Sequence, residues 1–444
     1  MSTTTTIDGF TGEVIRPDDP AYDAVRRTLL ADGSPAYVVR PARVGDVQAA
    51  VRFAADAGLP LAVRGGGHSF AGLGTNRDGV VIDLGRLDSV EVLDAETGLV
   101  RVGGGATWGA VVDALASHGL AISSGDTRSV GVGGLTLSGG IGWKVRRHGL
   151  ALDSLVAAEV VTADGQRVRA SAEEHPDLFW ALRGGGGNLG IVTTFDFAAH
   201  RTTDVFFGRL TFPASESLAV LHGWAEHLRD ADERLSSNVV FANPFLGGPQ
   251  APVEVHLAFD GDDEAAAARA LDPVRRLGTL LSDDVALTPY AAVLEEGAVP
   301  PPGIGFAVRS GFASASGSAD ALAILADTGS RAGSPIIALR ALGGAVSRVG
   351  GDATAYAHRD AALLVVTSLI GPPPALEAGR PHLDALWGRL DPHVFGAYAN
   401  FHTGTEAADV AAIYPGTTYG RLAEAKRRWD PTNLFAGNHN VPPG

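Results

Sequence analysis

The chain has no cysteine and only one methionine among 444 residues. Without thiols there can be no disulfide, thiolate zinc site, iron–sulfur cluster or cysteine nucleophile, so any redox chemistry must be carried by a bound cofactor. Basic residues are also in deficit, 35 against 50 acidic ones, leaving a formal net charge of −15. A nucleic-acid surface needs lysine and arginine to displace counterions, so no nucleic-acid partner is expected. No apolar run approaches the ~20 residues of a membrane-spanning helix. The opening Met1–Thr6 lacks the basic end and apolar centre of a signal peptide, and the expectation is a soluble, cytoplasmic protein with no membrane partner.

Several motifs are missing as well. There is no G-x-x-x-x-G-K-[ST] phosphate loop and no G-x-S-x-G elbow. His222, His227 and His256 show no ligand spacing, so no metal site is expected. Gly185, Gly187 and Gly190 satisfy G-x-G-x-x-G, but they follow a helical segment, Asp177 to Arg183, and precede a strand. That order reverses the strand–loop–helix context of a dinucleotide site.

What is present is a globular composition, 45% hydrophobic with 58 glycines and 25 prolines, without internal repeats. The length exceeds what one core usually fills, so two packed units are expected. In the first two hundred residues helices and strands alternate. Val47, Ala50, Val51 and Ala54 mark a helix face from Asp46 to Gly58, and Leu59–Val63 and Val80–Leu84 read as buried strands. Hairpins turn at Thr97-Gly98 and Asp164-Gly165, Thr107 caps a helix, and Ile191–Phe197 is a strand. Beyond about residue 204 come longer strands, Phe206–Phe212, Asn238–Asn243 and Val253–Phe259, then an alanine-rich helix from Asp262. Gly371–Pro374 reads as a surface connection, and Val394–Phe401 as a strand followed by two helices and an irregular tail.

Two glycine-rich stretches stand out. Arg64-Gly65-Gly66-Gly67-His68-Ser69 follows a strand directly. Three glycines permit positive φ and close backbone approach, and their N–H groups can form a nest for a pyrophosphate. A neutral imidazole beside it is a competent nucleophile toward an activated methyl group, although His68 can equally hydrogen-bond a tight turn. The second stretch, Ser124–Gly142, is too dense in glycine for a helix or strand interior and too apolar for a solvated linker. It suits backbone pressed against a flat ring, or a buried structural crossing.

Five segments occur in order: Arg64–Ser69, Val130-Gly131-Val132-Gly133-Gly134, Gly142–Asp153, Arg183–Val192 and Leu422–Pro443. Together they resemble the berberine-bridge-enzyme-like branch of the vanillyl-alcohol-oxidase family of FAD enzymes, from about residue 33 to the C-terminus. Bacterial members with one covalent histidine are nearest in length and in the C-terminal Asn-x-Asn pattern. The resemblance implies an α+β, two-domain fold: a PCMH-type FAD-binding domain from residues 1–203 plus 396–444, with its core at about 33–203, and an antiparallel-sheet substrate domain at 204–395. It implies FAD joined through its 8α-methyl to His68, with Arg64, Gly65, Gly66, Gly67 and Ser69 around the pyrophosphate. Gly125, Val130, Gly131, Gly133, Gly134, Gly140, Gly190 and Val192 would complete the cofactor site. Many relatives add a cysteinyl bond just before the Val-Gly-Val-Gly-Gly run; Thr127 stands there, so a single link is implied.

The family's Tyr-x-Asn motif matches Tyr398-Ala399-Asn400, which makes Tyr398 the implied base or orienting donor over the flavin, unless it merely packs in the domain interface. His402 is a secondary catalytic candidate. The tail resembles the family's closing motif, which implies that Asn438 and Asn440 meet the flavin's pyrimidine edge, where amides offer both donors and acceptors. His439 stands where relatives often have Gln or Tyr. In this family the residue just before Gly-Val-Gly-Gly governs access of O2, and Val130 there implies an oxidase that moves hydride from a small alcohol, amine or natural product to FAD and yields H2O2. A dehydrogenase or oxidative cyclase on the same scaffold, and a non-catalytic flavin protein, are the alternatives. Arg348, Tyr356 and His358 either line the substrate cavity or belong to a surface strand. Residues 204–395 carry no motif that names the substrate, and the oligomeric state stays open.

Overall fold

The computed structural model describes residues 7–241, 252–296, 299–331 and 333–444. The end of the expected strand Asn238–Asn243 lies outside them; its described part runs Leu235–Phe241. Among the described residues, three larger sheets and one two-stranded ribbon organise the chain.

The first sheet has four strands in the order Glu13–Ile15, Tyr37–Arg40, Val80–Asp83, Leu61–Arg64, the last three parallel. The helix Val44–Asp56 crosses from one to another and buries Val47, Ala50, Val51 and Ala54 against Val39, Val80 and Ile82. It starts two residues before Asp46, whose fully buried carboxylate accepts the Thr11 and Ala42 N–H groups at 2.9 Å. Gly58 at φ +63° lets the chain turn out of the helix.

The second sheet is antiparallel, ordered Val90–Asp94, Leu99–Gly103, Ile191–Ala198, Leu155–Val161, Arg167–Ser171. Both of its tight turns use a glycine at positive φ, Gly98 and Gly165. Helix Trp108–Ala116, capped by the Thr107 hydroxyl, and helix Pro176–Leu182 pack on it.

The third sheet fills the second half with antiparallel strands in the order Val205–Phe212, Val253–Phe259, Leu235–Phe241, Ile336–Ala341, Leu363–Gly371, Gly305–Ala313, and short strands edge the first of them. Period-two alternation gives it two working faces. Leu363 and Val365 join the core under helices Ser217–Asp230, Glu264–Arg275, Ser318–Gly329 and Pro373–Leu390. Leu364 and Val366 face the other way and pack with Ile141, Leu150, Leu152 and Tyr398. The sheet thus serves as a lid on the N-terminal half.

Three expectations need correction. Ser124–Gly142 does contain a helix, Val132–Ser138, with Gly131 before it, Gly139 after it and Gly133 packed near the Gly104 carbonyl; Gly134 faces open space. Val394–Phe401 is not a strand: Phe395 makes one bridge to Phe312, Gly396 takes φ +60°, and Ala399–Phe401 curls into a 3₁₀ turn. Pro373 opens a long helix rather than only a connection, since proline tolerates the first helical turn.

Candidate active site

Strand Leu61–Arg64 delivers the chain into the triple-glycine loop. Arg64 fastens that loop rather than reaching outward. Its guanidinium donates to the Val25 and Arg27 carbonyls at 2.8 and 2.9 Å and to Asp83 at 2.9 Å. Gly67 has φ +71°. Gly66 and Gly131 meet back to back: a Cβ on either would stand 2.3 Å from the backbone nitrogen of the other. Two loops far apart in sequence therefore join through backbone alone. His68 Nε2 lies 3.0 Å from the Ser129 hydroxyl, and burial holds its pKa below the ordinary histidine value, so the neutral ring is favoured.

These loops form one side of a cavity of about 320 Å³. Its wall takes in Arg64, Gly65, Gly66, Gly67, His68 and Ser69 from the first loop. From the second stretch come Gly125, Val130, Gly131, Gly133 and Gly134, with Gly190 and Val192 at the foot of strand Ile191–Ala198. The tail contributes Asn438 and His439, and the 3₁₀ turn contributes Tyr398, Asn400 and Phe401. Gly140, His402 and Asn440 are not on this wall. Gly140 packs on Ala151 and donates its N–H to the Tyr398 oxygen. The buried His402 bonds Asp409 through Nε2 at 2.8 Å.

Arg348, Tyr356 and His358 are also off the wall. Arg348 pairs with Glu233 on the surface, at the end of a short helix rather than on a strand. Tyr356 is buried behind Tyr398, and His358 bonds the Ala412 and Ile413 carbonyls.

Tyr398 is held from several sides. Its ring is 2% exposed, and its oxygen accepts hydrogen bonds from Gly140 N at 2.9 Å and Asn400 Nδ2 at 3.0 Å. Burial raises its pKa above the tyrosine value, while those two donors and the charge of Arg340 act in the opposite sense. Phe401 and Phe70 continue the apolar wall, with ring centroids 5.6 Å from Tyr398 to Phe401 and 6.0 Å from Phe401 to Phe70.

Residues that the sequence reading passed over complete the site. Arg340, from strand Ile336–Ala341, bonds Asp126 at 2.6 Å and lies over the Phe401 ring at 5.0 Å. Two polar atoms of the tail on the wall, Asn438 Oδ1 and His439 Nε2, are buried with no hydrogen-bond partner among the described residues, as is Asn440 Oδ1 off the wall. Buried orphan polar atoms beside a glycine cradle fit a large ligand bearing both anionic and N–H groups, as FAD does.

Comparison with known proteins agrees. An FAD binding domain model matches residues 35–171, and a model described as berberine and berberine like matches residues 397–442. The (R)-6-hydroxynicotine oxidase of Paenarthrobacter nicotinovorans is 32% identical over 97% of this chain and 97% of its own. The crystal structure of 6-hydroxy-D-nicotine oxidase from Arthrobacter nicotinovorans superposes with a TM-score of 0.87 at 29% identity, covering 100% of both chains. The xylooligosaccharide oxidase of Thermothelomyces thermophilus is 32% identical over 92% of this chain and 88% of its own. A glucooligosaccharide oxidase from Acremonium strictum with 6-S-cysteinyl, 8α-N1-histidyl FAD superposes with a TM-score of 0.86 at 26% identity, covering 98% of this chain and 97% of that one.

Proposed function

Because this chain belongs to the berberine-bridge-enzyme-like FAD-linked oxidoreductases, we propose that it oxidises a small organic substrate at a C–H bond adjacent to an O–H or N–H group, with O2 as the electron acceptor. Bound FAD would supply the hydride acceptor and the two electrons that reduce O2 to H2O2. The protein's part is to hold the cofactor, orient the substrate and manage one proton. The observation that carries this reading is the Tyr398 hydroxyl, fixed by two donors on the wall of the cavity that also holds His68.

His68 would tether the flavin through its 8α-methyl. Burial favours the neutral ring and so keeps a nitrogen lone pair available as nucleophile. The Acremonium relative has a second, cysteinyl link. With no cysteine in this chain, the link at His68 would be the only one. Asn438, on the cavity wall with its oxygen unpartnered, would meet an N–H of the pyrimidine edge. The glycine nest formed by the two loops would take the pyrophosphate. Residues 1–203 plus 396–444 would then make up the FAD-binding domain and 204–395 the substrate domain.

Tyr398 would receive the substrate's O–H or N–H proton. Its phenolate gains from the Gly140 N–H, the Asn400 amide and the positive field of Arg340. Burial nevertheless keeps the phenol form dominant at neutral pH, so substrate oxidation should quicken as pH rises into the alkaline range.

The oxidase assignment rests on Val130 and on the oxidases among the relatives. It is tested by mixing photoreduced enzyme with air-saturated buffer in a stopped-flow instrument. Rapid return of the oxidised flavin spectrum with one H2O2 per flavin is expected; slow reoxidation would make the protein a dehydrogenase.

A further inference from the structure

Arg340 is a charged residue in an otherwise apolar strand. In Ile336–Ala341, residues Ile337, Leu339 and Ala341 are buried under the helices. Period two places Arg340 with Ala338 on the opposite face, and Ala338 packs in the cluster that contains Tyr398 and Ile141. The guanidinium is not itself on the cavity wall but lies directly behind it, against three of its residues. It bonds Asp126, covers the Phe401 ring and acts on Tyr398 through its charge.

An arginine has five N–H donors in a fixed fork. Here one terminal nitrogen, Nη2, is used by Asp126, and no hydrogen bond within the described residues engages Nε or Nη1. The side chain is only 13% exposed, so the fork is held in place but not exhausted. Such a group accepts one more oxygen at little entropic cost.

The wall in front of Arg340 points the same way. Asp126 is its only acidic side chain among the described residues, and Arg340 holds it ionised against the effect of burial. No free carboxylate is left to receive an ammonium group. Burial pushes His439 down to about 4, so it brings no positive charge to the wall. Phe70, Phe401, Leu135 and Ile141 supply apolar contact around the tyrosine.

We propose that Arg340 is the substrate-anchoring residue, and that the substrate is a small, largely apolar molecule carrying an oxygen acceptor, a carboxylate or carbonyl, rather than a cationic amine. This rests on the oxidase reading and narrows it. Arg340 holds the acceptor oxygen while Tyr398 faces the O–H or N–H at the carbon to be oxidised. A guanidinium contact of this kind separates acceptor-bearing molecules from cations by charge as well as by hydrogen-bond geometry.

The test titrates the purified holoenzyme with benzoate, benzamide and benzylammonium and follows perturbation of the visible flavin bands. Benzoate and benzamide should bind, benzylammonium at least about tenfold more weakly. Arg340→Met should weaken benzoate at least about tenfold, with Arg340→Lys intermediate. The double variant Asp126→Leu with Arg340→Met removes both partners, so no buried carboxylate is orphaned, and should show the same loss. Tighter binding of benzylammonium, no response to either oxygen probe, or an unchanged benzoate affinity in both Met variants would overturn the proposal while the flavin bands still stand. Wild-type enzyme without flavin bands would overturn the oxidase reading itself, and this proposal with it.

Discussion

At the scale of single residues, the cavity separates a chemical group from those that set it up. Tyr398→Phe removes only the hydroxyl and should slow flavin reduction by about 10² to 10⁴, with the flavin spectrum retained and the alkaline rise of the pH profile abolished. The corresponding measurement is anaerobic single-turnover reduction across pH. Thr127→Cys tests the other end of the site. Thr127 shares the wall with His68, so a thiol there is expected to give a second flavin–protein bond, visible as covalent flavin retained when His68 is also replaced. His68 and Tyr398 were legible because each sits in a motif with its own chemical reason. Arg340 and Asp126 were not, since their pairing joins positions 214 apart in sequence. The available sign was a lone charge at an alternating position between Leu339 and Ala341.

At the scale of elements, the site depends on backbone contacts that no side chain can replace. A methyl group at Gly66 or Gly131 would meet the opposite loop's nitrogen at 2.3 Å, where neither backbone can yield. Gly131→Ala should therefore cost about 1–3 kcal/mol of stability and lower flavin content, read by thermal melting and by the ratio of visible to ultraviolet absorbance. The helix Val44–Asp56 and the strands Val80–Asp83 and Val253–Phe259 were readable from periodicity, because burial decided both pattern and structure. The helix Val132–Ser138 was obscured by its flanking glycines. Propensity argues against a helix there, but close packing of Gly133 near the Gly104 carbonyl overrides it. The segment before Tyr398 misled in the opposite sense. Its apolar run looks like a strand until Gly396 turns it, and that turn puts Asn400 within reach of the tyrosine oxygen.

At the scale of the whole molecule, charged groups tie the large sheet to the N-terminal half. Lys144, Arg147 and His148 converge on Asp260, at the end of strand Val253–Phe259, and Arg359 grips Asp153 with two bonds of 2.8 Å. Burial alone would raise the Asp260 pKa, but these three partners hold it well below the ordinary carboxylate range. Its stabilising contribution is therefore complete at neutral pH and is lost as pH falls below about 4. Asp260→Ala leaves Lys144 buried without its partner and should cost about 3–5 kcal/mol at pH 7, with a smaller difference from wild type in acid, read by denaturant unfolding at both pH values. None of this network was visible in the sequence beyond a scatter of charges. The central claim, that a triple-glycine loop carries FAD on one histidine, has a direct test. Wild-type protein denatured and precipitated in acid should keep a fluorescent flavin on the polypeptide, and His68→Ala should release it. A colourless wild-type pellet from flavin-loaded protein, or a pellet still fluorescent in His68→Ala, would contradict it.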